Sequence, residues 1–216
     1  MKLYIIDIDG CLNYYPKTKI DYANYYFKLE PSYLHPFRRF RTLDQIKSKL
    51  TKEAYEKMTD KYRESNYKHE ARVNTSLAKL IRKWYKQGNR ISIITAREGS
   101  KFMEAKTKEW LSRNRIPYHD LVFTKSKQSM LKKLLEEDIS KRYTTITMID
   151  DNLNNLAKCE DMYEALLEKC NYAKCTFIWV KHKYNKKHKY EISRYSRIQT
   201  KTYKDLKKEA ENGRKI

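Results

Sequence analysis

The chain has 216 residues, with 48 Lys and Arg against 27 Asp and Glu and a net charge of +21. That length suits one globular domain, or one domain carrying an insertion, and 40% hydrophobic with 13% aromatic residues excludes wholesale disorder. No apolar run approaches the ~20 residues that a membrane span needs, so no membrane partner is expected. An acidic residue, Asp7, comes too early for a secretory leader, and a soluble, cytoplasmic protein is expected. Cys11, Cys159, Cys170 and Cys175 show neither a Cys-x-x-Cys pair nor zinc spacing, which predicts free thiols rather than a disulfide framework. The basic balance suits an anionic partner such as nucleic acid or a nucleotide. A bland origin is equally open, since 4 Gly and 4 Pro beside 19 Tyr and abundant Lys, Asn and Ile resemble an AT-rich coding bias.

Leu3 to Ile8 is an apolar, β-branched run entering Asp9-Gly10, which predicts a buried strand ending in a turn. Tyr14 to Arg72 reads differently: aromatic residues crowd its first half, and helices are expected after Thr42 and Thr51, with Thr42 as an N-cap. From Asn74 to Gln87, Leu77, Leu80, Ile81, Trp84 and Tyr85 recur at helical spacing. Strand signals follow at Arg90–Thr95, Leu121–Phe123, Thr144–Ile149 and Cys175–Val180. Helical segments separate them at Lys101–Arg113, Ser129–Glu137 and Leu153–Lys169. Strands alternating with amphipathic helices predict an α/β fold, a Rossmann-like open parallel sheet. Lys181 to Ile216 carries 13 Lys and Arg against 4 Asp and Glu; it reads as a solvated terminal helix or as an arm for nucleic acid.

Three of the predicted strands end in polar residues, and an open parallel sheet binds ligands at the carboxyl ends of its strands. These ends are Asp7-Ile8-Asp9-Gly10, Thr95-Ala96-Arg97 and Asp150-Asp151. Carboxylates two apart on a strand point the same way, so Asp7 and Asp9 are expected to converge. Gathered acids repel one another unless a hard cation sits among them, and an oxygen set suits Mg²⁺. Thr95, Arg97 and a nearby lysine would then hold an anion beside the metal. Each piece alone has an ordinary reading as a turn or a helix cap; their conjunction, in this order and at strand ends, carries the signal.

On these residues the sequence resembles the haloacid dehalogenase superfamily of phosphatases. Tyr4-Ile-Ile-Asp7-Ile-Asp9-Gly10 is similar to its first motif, Ser92-Ile-Ile-Thr95 to its second and Thr147-Met-Ile-Asp150-Asp151-Asn152 to its fourth. Ile94-Thr95-Ala96-Arg97, Thr107-x-x-Trp110-Leu111 and Ile116-Pro117-Tyr118-His119-Asp120 resemble the 5′(3′)-deoxyribonucleotidase-like branch. The family's lysine is harder to place, because Phe123-Thr-Lys125-Ser-Lys127 is a residue short of the usual pattern; counting back from Met130-Leu131 favours Lys127 over its rival Lys125.

The resemblance implies a core of residues 1–13 and 73–185, a helical cap inserted at 14–72 after the first strand, and a basic extension at 186–216. It implies Asp7 as nucleophile, Asp9 as general acid and base, and Mg²⁺ held by Asp7, Asp150 and the Asp9 backbone carbonyl. Thr95, Ala96, Arg97 and Lys127 would bind phosphate, and Asp151 would orient the lysine or a metal-bound water. Arg97 also resembles the arginine after the second motif in the 3′-phosphatase domain of phage polynucleotide kinase. In the cap, Tyr14, Phe37, Phe40 and Arg38 are candidate substrate contacts and Tyr15 is among the further rings that could stack on a nucleobase, although most aromatics there are expected to form the cap's own core. None of His35, His69 and His119 is expected to be catalytic. The implied substrate is a nucleoside monophosphate. The end of a polynucleotide is the alternative, and a non-catalytic nucleic-acid-binding protein or a small-metabolite phosphatase are further ones. Oligomeric state is not legible.

Overall fold

Four apolar runs, each long enough for one pass through a core, lie side by side at the centre of the molecule. The structure is a computed structural model and describes residues 1–28, 40–97, 101–136, 143–167, 174–182, 185 and 194–212. The four central strands are β1 (Lys2–Ile6), β2 (Arg90–Thr95), β4 (Thr145–Asp150) and β5 (Lys174–Val180); β3 (Asp120–Phe123) and β6 (Ile198–Lys201) flank them. All pairings are parallel, in the order β3-β2-β1-β4-β5-β6, as the alternation of strand and helix patterns predicts.

Successive strand residues face opposite sides, which divides the core in two. Leu3, Ile5, Met148 and Phe177 pack against α7 (Lys127–Glu136) and α8 (Leu153–Leu167) through Leu131, Leu135 and Leu156. Tyr4, Ile6, Ile149 and Ile178 pack on the other side against Leu80, Trp84 and Trp110 of α5 (Thr75–Lys86) and α6 (Lys101–Arg113). The Tyr4 and Trp84 rings stack with centroids 4.0 Å apart. Burial on both faces is why these strands read as continuous apolar runs rather than alternating ones.

Between β1 and α5 lie α1 (Tyr15–Tyr26), α2 (Leu43–Lys49), α3 (Lys52–Glu64) and α4 (Asn66–His69). Thr42 and Thr51 cap α2 and α3 by accepting from the amides of Gln45 and Ala54. These helices enclose their own cluster of Tyr22, Ala23, Phe40, Ile46, Met58 and Tyr62. The chain leaves and re-enters the core side by side: the Tyr14 amide donates to the Arg72 carbonyl at 3.0 Å and the Asn74 amide to that of Leu12 at 2.7 Å. Phe40 is a member of this cluster, its backbone clasped in both directions by the Asn24 amide at 2.8 and 3.0 Å. It is therefore a packing residue and not the substrate contact expected of it. Phe37 and Arg38 lie outside the described residues.

The C-terminal region departs from the sequence expectation of a solvated helix. Ile198–Lys201 extends the sheet as β6, and α9 (Tyr203–Asn212) seats a fully buried Leu206 against the α5 side of the core. The Tyr203 hydroxyl donates to the carbonyls of Gly10 at 2.9 Å and Asn13 at 3.3 Å. The extension thus braces the loop after β1, where Gly10 takes a left-handed φ of 88° that a residue with a Cβ adopts only at a cost. Cys11, Cys159 and Cys175 are buried free thiols; Cys170 lies outside the described residues. Among the described residues, no helix is long and apolar enough to cross a membrane.

Candidate active site

Strand order reverses between β1 and β4, the point where open parallel sheets leave a crevice for ligands. The backbone there delivers Asp7 just beyond β1, Thr95 as the last residue of β2 and Asp150 as the last of β4. A cavity of about 640 Å³ opens on these ends, within the usual range for ligand sites. Asp7, Asp9, Thr95, Ala96, Lys127, Asp150 and Asp151 all border it.

At its floor Lys127, the first residue of α7, bridges two carboxylates: Nζ lies 2.7 Å from Asp7 Oδ1 and 2.7 Å from Asp150 Oδ2. Lys127 is buried, whereas Lys125 is exposed and does not border the cavity. Burial pulls the Lys127 ammonium toward deprotonation, but Asp7 and Asp150 outweigh it and hold it firmly charged. For Asp7 the balance goes the other way. Desolvation, helped by Asp150 and Asp9, overcomes the pull of Lys127 and lifts its carboxyl to about 7.

Successive strand residues leave on opposite faces, so Asp150, the last of β4, and Asp151, just beyond it, have different closest partners. Asp150 sits on the face of Met148, toward α7, and besides Lys127 it accepts from the Asn152 amide and the Asn155 side chain. Asp151 falls instead beside Asp7 and Cys11, with one ligand atom from each of the three within 4.8 Å of the others. Asp150 is thus a partner of the lysine, and Asp151 has a ligand atom close enough to one of Asp7 for the two to share a cation. The donor set fits Mg²⁺, which binds through one or two carboxylates plus waters and substrate phosphate. Burial pushes the Cys11 thiol well up, so that neighbour stays protonated and offers no competing thiolate.

Asp9 does not share Asp7's partners. Arg97 grips it bidentately, Nε to Oδ2 at 3.0 Å and Nη2 to Oδ1 at 2.6 Å, and Lys68 of α4 reaches Oδ2 at 3.2 Å. The Asn13 amide adds a third donor at 3.0 Å. Burial would raise the Asp9 carboxyl, but Arg97 and Lys68 override it and hold it well below the usual carboxylate range. Arg97, expected on the phosphate, is 1% exposed, is absent from the cavity wall and has the carboxylate as its partner. Replacing Arg97 with Ala is expected to cost on the order of 3 kcal/mol in urea denaturation, since it takes the bidentate partner from a largely buried carboxylate and leaves it only Lys68 and Asn13. Arg97→Lys should recover only part of that, because an ammonium cannot reproduce the bidentate fork.

Thr95 is fully buried, borders the cavity, and its hydroxyl has no hydrogen-bond partner among the described residues. Leaving such a group unsatisfied costs about 1–3 kcal/mol, a cost that a ligand oxygen in the cavity would relieve. Tyr14 is turned away from the cavity, edge-on to Tyr203 with centroids 5.0 Å apart. The aromatic rings on the cavity wall are those of Tyr15, Tyr55 and Tyr62, joined by Lys19, Lys47, Arg63 and Lys68. Of the wall residues in this segment, only Tyr15 is among the rings that the sequence offers for stacking on a base. A single lysine carries no signal among 48 basic residues.

No protein-family model and no curated protein matches the sequence. Solved structures do match in fold. A haloacid dehalogenase-like hydrolase from Streptococcus pneumoniae aligns over 97% of both chains at a TM-score of 0.56 and 11% identity. A predicted phosphoglycolate phosphatase from Haemophilus somnus aligns over 99% of this chain and 98% of its own at 0.59 and 12%. A predicted phosphatase from Clostridium acetobutylicum aligns over 98% of each at 0.57 and 14%. This chain therefore has the fold of the haloacid dehalogenase-like hydrolases, with its acids and Lys127 gathered at the switch point of the sheet.

Proposed function

We propose that this protein is a Mg²⁺-dependent phosphomonoester hydrolase that releases phosphate from nucleotides, nucleoside monophosphates being the simplest. The observation that carries this reading is the floor of the cavity, where Lys127 lies between Asp7 and Asp150 and the unsatisfied hydroxyl of Thr95 belongs to a residue on the same cavity wall. A phosphoryl group seated there meets a nucleophile, a fixed cation and a free donor at once.

Asp7 attacks phosphorus and the ester oxygen departs, leaving an aspartyl-phosphate; water then cleaves that acyl phosphate, frees inorganic phosphate and restores the carboxylate. Lys127 and Thr95 hold the equatorial oxygens as charge moves onto them. Asp7 and Asp151 would hold Mg²⁺, which would add positive charge for those oxygens. Asp9 delivers the proton to the leaving oxygen and takes one from the incoming water. Its ion pairs with Arg97 and, less strongly, Lys68 suppress protonation, so acid catalysis by Asp9 requires both to loosen as the leaving oxygen takes up charge. Lys68 belongs to α4, so the helical insertion contributes one of the two cations that set the acid step.

The net charge of +21 favours a second reading, the phosphorylated end of a polynucleotide. One assay addresses both: phosphate release from nucleoside monophosphates, sugar phosphates and 5′- or 3′-phosphorylated oligonucleotides, with Mg²⁺ or EDTA, at low and high salt. Release from nucleotides that EDTA abolishes is the expected result. Activity on oligonucleotide ends that falls steeply with salt would select the second reading, because released counterions make such binding salt-dependent. Tight oligonucleotide binding with no release from any substrate would overturn both in favour of a binding protein.

A further inference from the structure

The cavity has two walls of opposite character. The sheet ends supply its acids: Asp7, Asp9, Asp150 and Asp151. The wall from the helical insertion contributes four cations, Lys19, Lys47, Arg63 and Lys68, with three phenols and, among the described residues, no acid. Two of these cations have countercharges, Lys68 on Asp9 and Arg63 on Asp60 at 2.9 Å.

Lys19 is different. It is 3% exposed, yet its described partner is a neutral group: Nζ donates to the Tyr55 hydroxyl at 2.9 Å and lies 4.5 Å from the centre of the same ring. An ammonium taken out of water is costly unless an opposite charge meets it, and here burial lowers its proton affinity. Lys47 stands exposed on the same wall and Arg63 at its rim. The transferring phosphoryl group already has its own cation in Lys127, across the cavity, so Lys19 and Lys47 answer to a different anion on the same ligand.

We infer that the insertion carries a second anion subsite, built on Lys19 and Lys47 with Arg63 at its edge, and that the substrate's leaving group bears a second phosphate. This rests on the phosphatase reading and narrows it: nucleoside monophosphates fill only the floor, while a nucleoside bisphosphate or the phosphorylated end of an oligonucleotide fills both walls. Tyr15, Tyr55 and Tyr62 line the space between, as stacking or hydrogen-bonding surface for the intervening nucleoside.

The test compares kcat/KM for a nucleoside 5′-monophosphate, the matching 3′,5′-bisphosphate and a 5′-phosphorylated oligonucleotide, in the wild type and in Lys19→Met and Lys47→Ala. The wild type should prefer a substrate with a second phosphate by about tenfold or more, the scale of a charge-assisted contact. That ratio should fall toward one in each variant whatever the absolute rate. Lys47 is exposed, so Lys47→Ala remains informative if Lys19→Met folds poorly. Preference for the bisphosphate or for the oligonucleotide supports the subsite and identifies its source. A ratio near one in the wild type, or one that both substitutions leave unchanged, overturns it. Should no substrate be hydrolysed, equilibrium binding of the same mononucleotides to the Asp7→Asn protein still decides. Tighter binding of the bisphosphate, lost in Lys47→Ala, upholds the subsite while the catalytic reading fails, and equal binding overturns the subsite as well.

Discussion

Asp7→Asn is expected to abolish turnover, by at least about 10⁴-fold, while leaving the protein as stable as the wild type or more so. The two halves of this expectation have one cause. Asp7 is buried, and its carboxyl is lifted to about 7 because desolvation outweighs the attraction of Lys127. A carboxylic acid whose folded pKa lies above its unfolded one is stabilised by its proton. That stability is present at low pH and is lost as pH rises through the folded value near 7. Asparagine imitates the protonated form at every pH, so in EDTA the melting temperature of the variant should match or exceed that of the wild type, with the difference growing from pH 6 to pH 8. Lys127 keeps Asp150 as a partner in the variant. The amide nonetheless cannot form the acyl phosphate, so phosphate release with Mg²⁺ should vanish. A large loss of stability with retained activity would remove Asp7 from the centre of the mechanism.

Where local pattern and tertiary structure ask the same thing of a segment, the sequence could be read closely. The apolar runs at β1, β2, β4 and β5 are buried on both faces, Thr42, Thr51 and Asn74 cap the helices that follow them, and α6 spans Lys101–Arg113. Lys127 was reachable by counting, because its distance from Leu131 fixes its place on α7.

What the sequence leaves unread has another cause, since each case depends on a partner far away in the chain. Asp150 and Asp151 are chemically equivalent until the strand's faces are known, and only Lys127 on α7 and Asp7 on β1 distinguish them. Arg97 meets Asp9 across 88 positions. The last strand buries a single side chain, Ile198, in a run too polar to announce itself, and α9 is anchored through Leu206 in the same way. Phe40 and Tyr14 looked like substrate contacts because aromaticity marks a packing residue and a stacking residue alike.

Lys127→Met should be damaging in two separable ways, and the separation tests the assignment against its rival. Removing Nζ leaves Asp7 and Asp150, each 2.7 Å from it, buried without their shared countercharge. Breaking a buried pair from one side costs about 3–5 kcal/mol, readable in urea denaturation. The phosphoryl oxygens lose a preorganised cation too, and loss of one such donor typically lowers kcat about 10²–10³-fold. If the stability loss comes from stranded carboxylate, adding Asp150→Asn to Lys127→Met removes one of the stranded charges and should recover much of the stability. Activity should stay lost, since the cation is still missing. Lys125→Met removes an exposed charge outside the cavity and should change kcat/KM by less than about twofold, surface substitutions away from special features being nearly neutral. A deep defect in Lys125→Met beside a mild one in Lys127→Met would reverse the assignment. Recovery of activity in the double variant would show that Lys127 serves only to neutralise the buried acids.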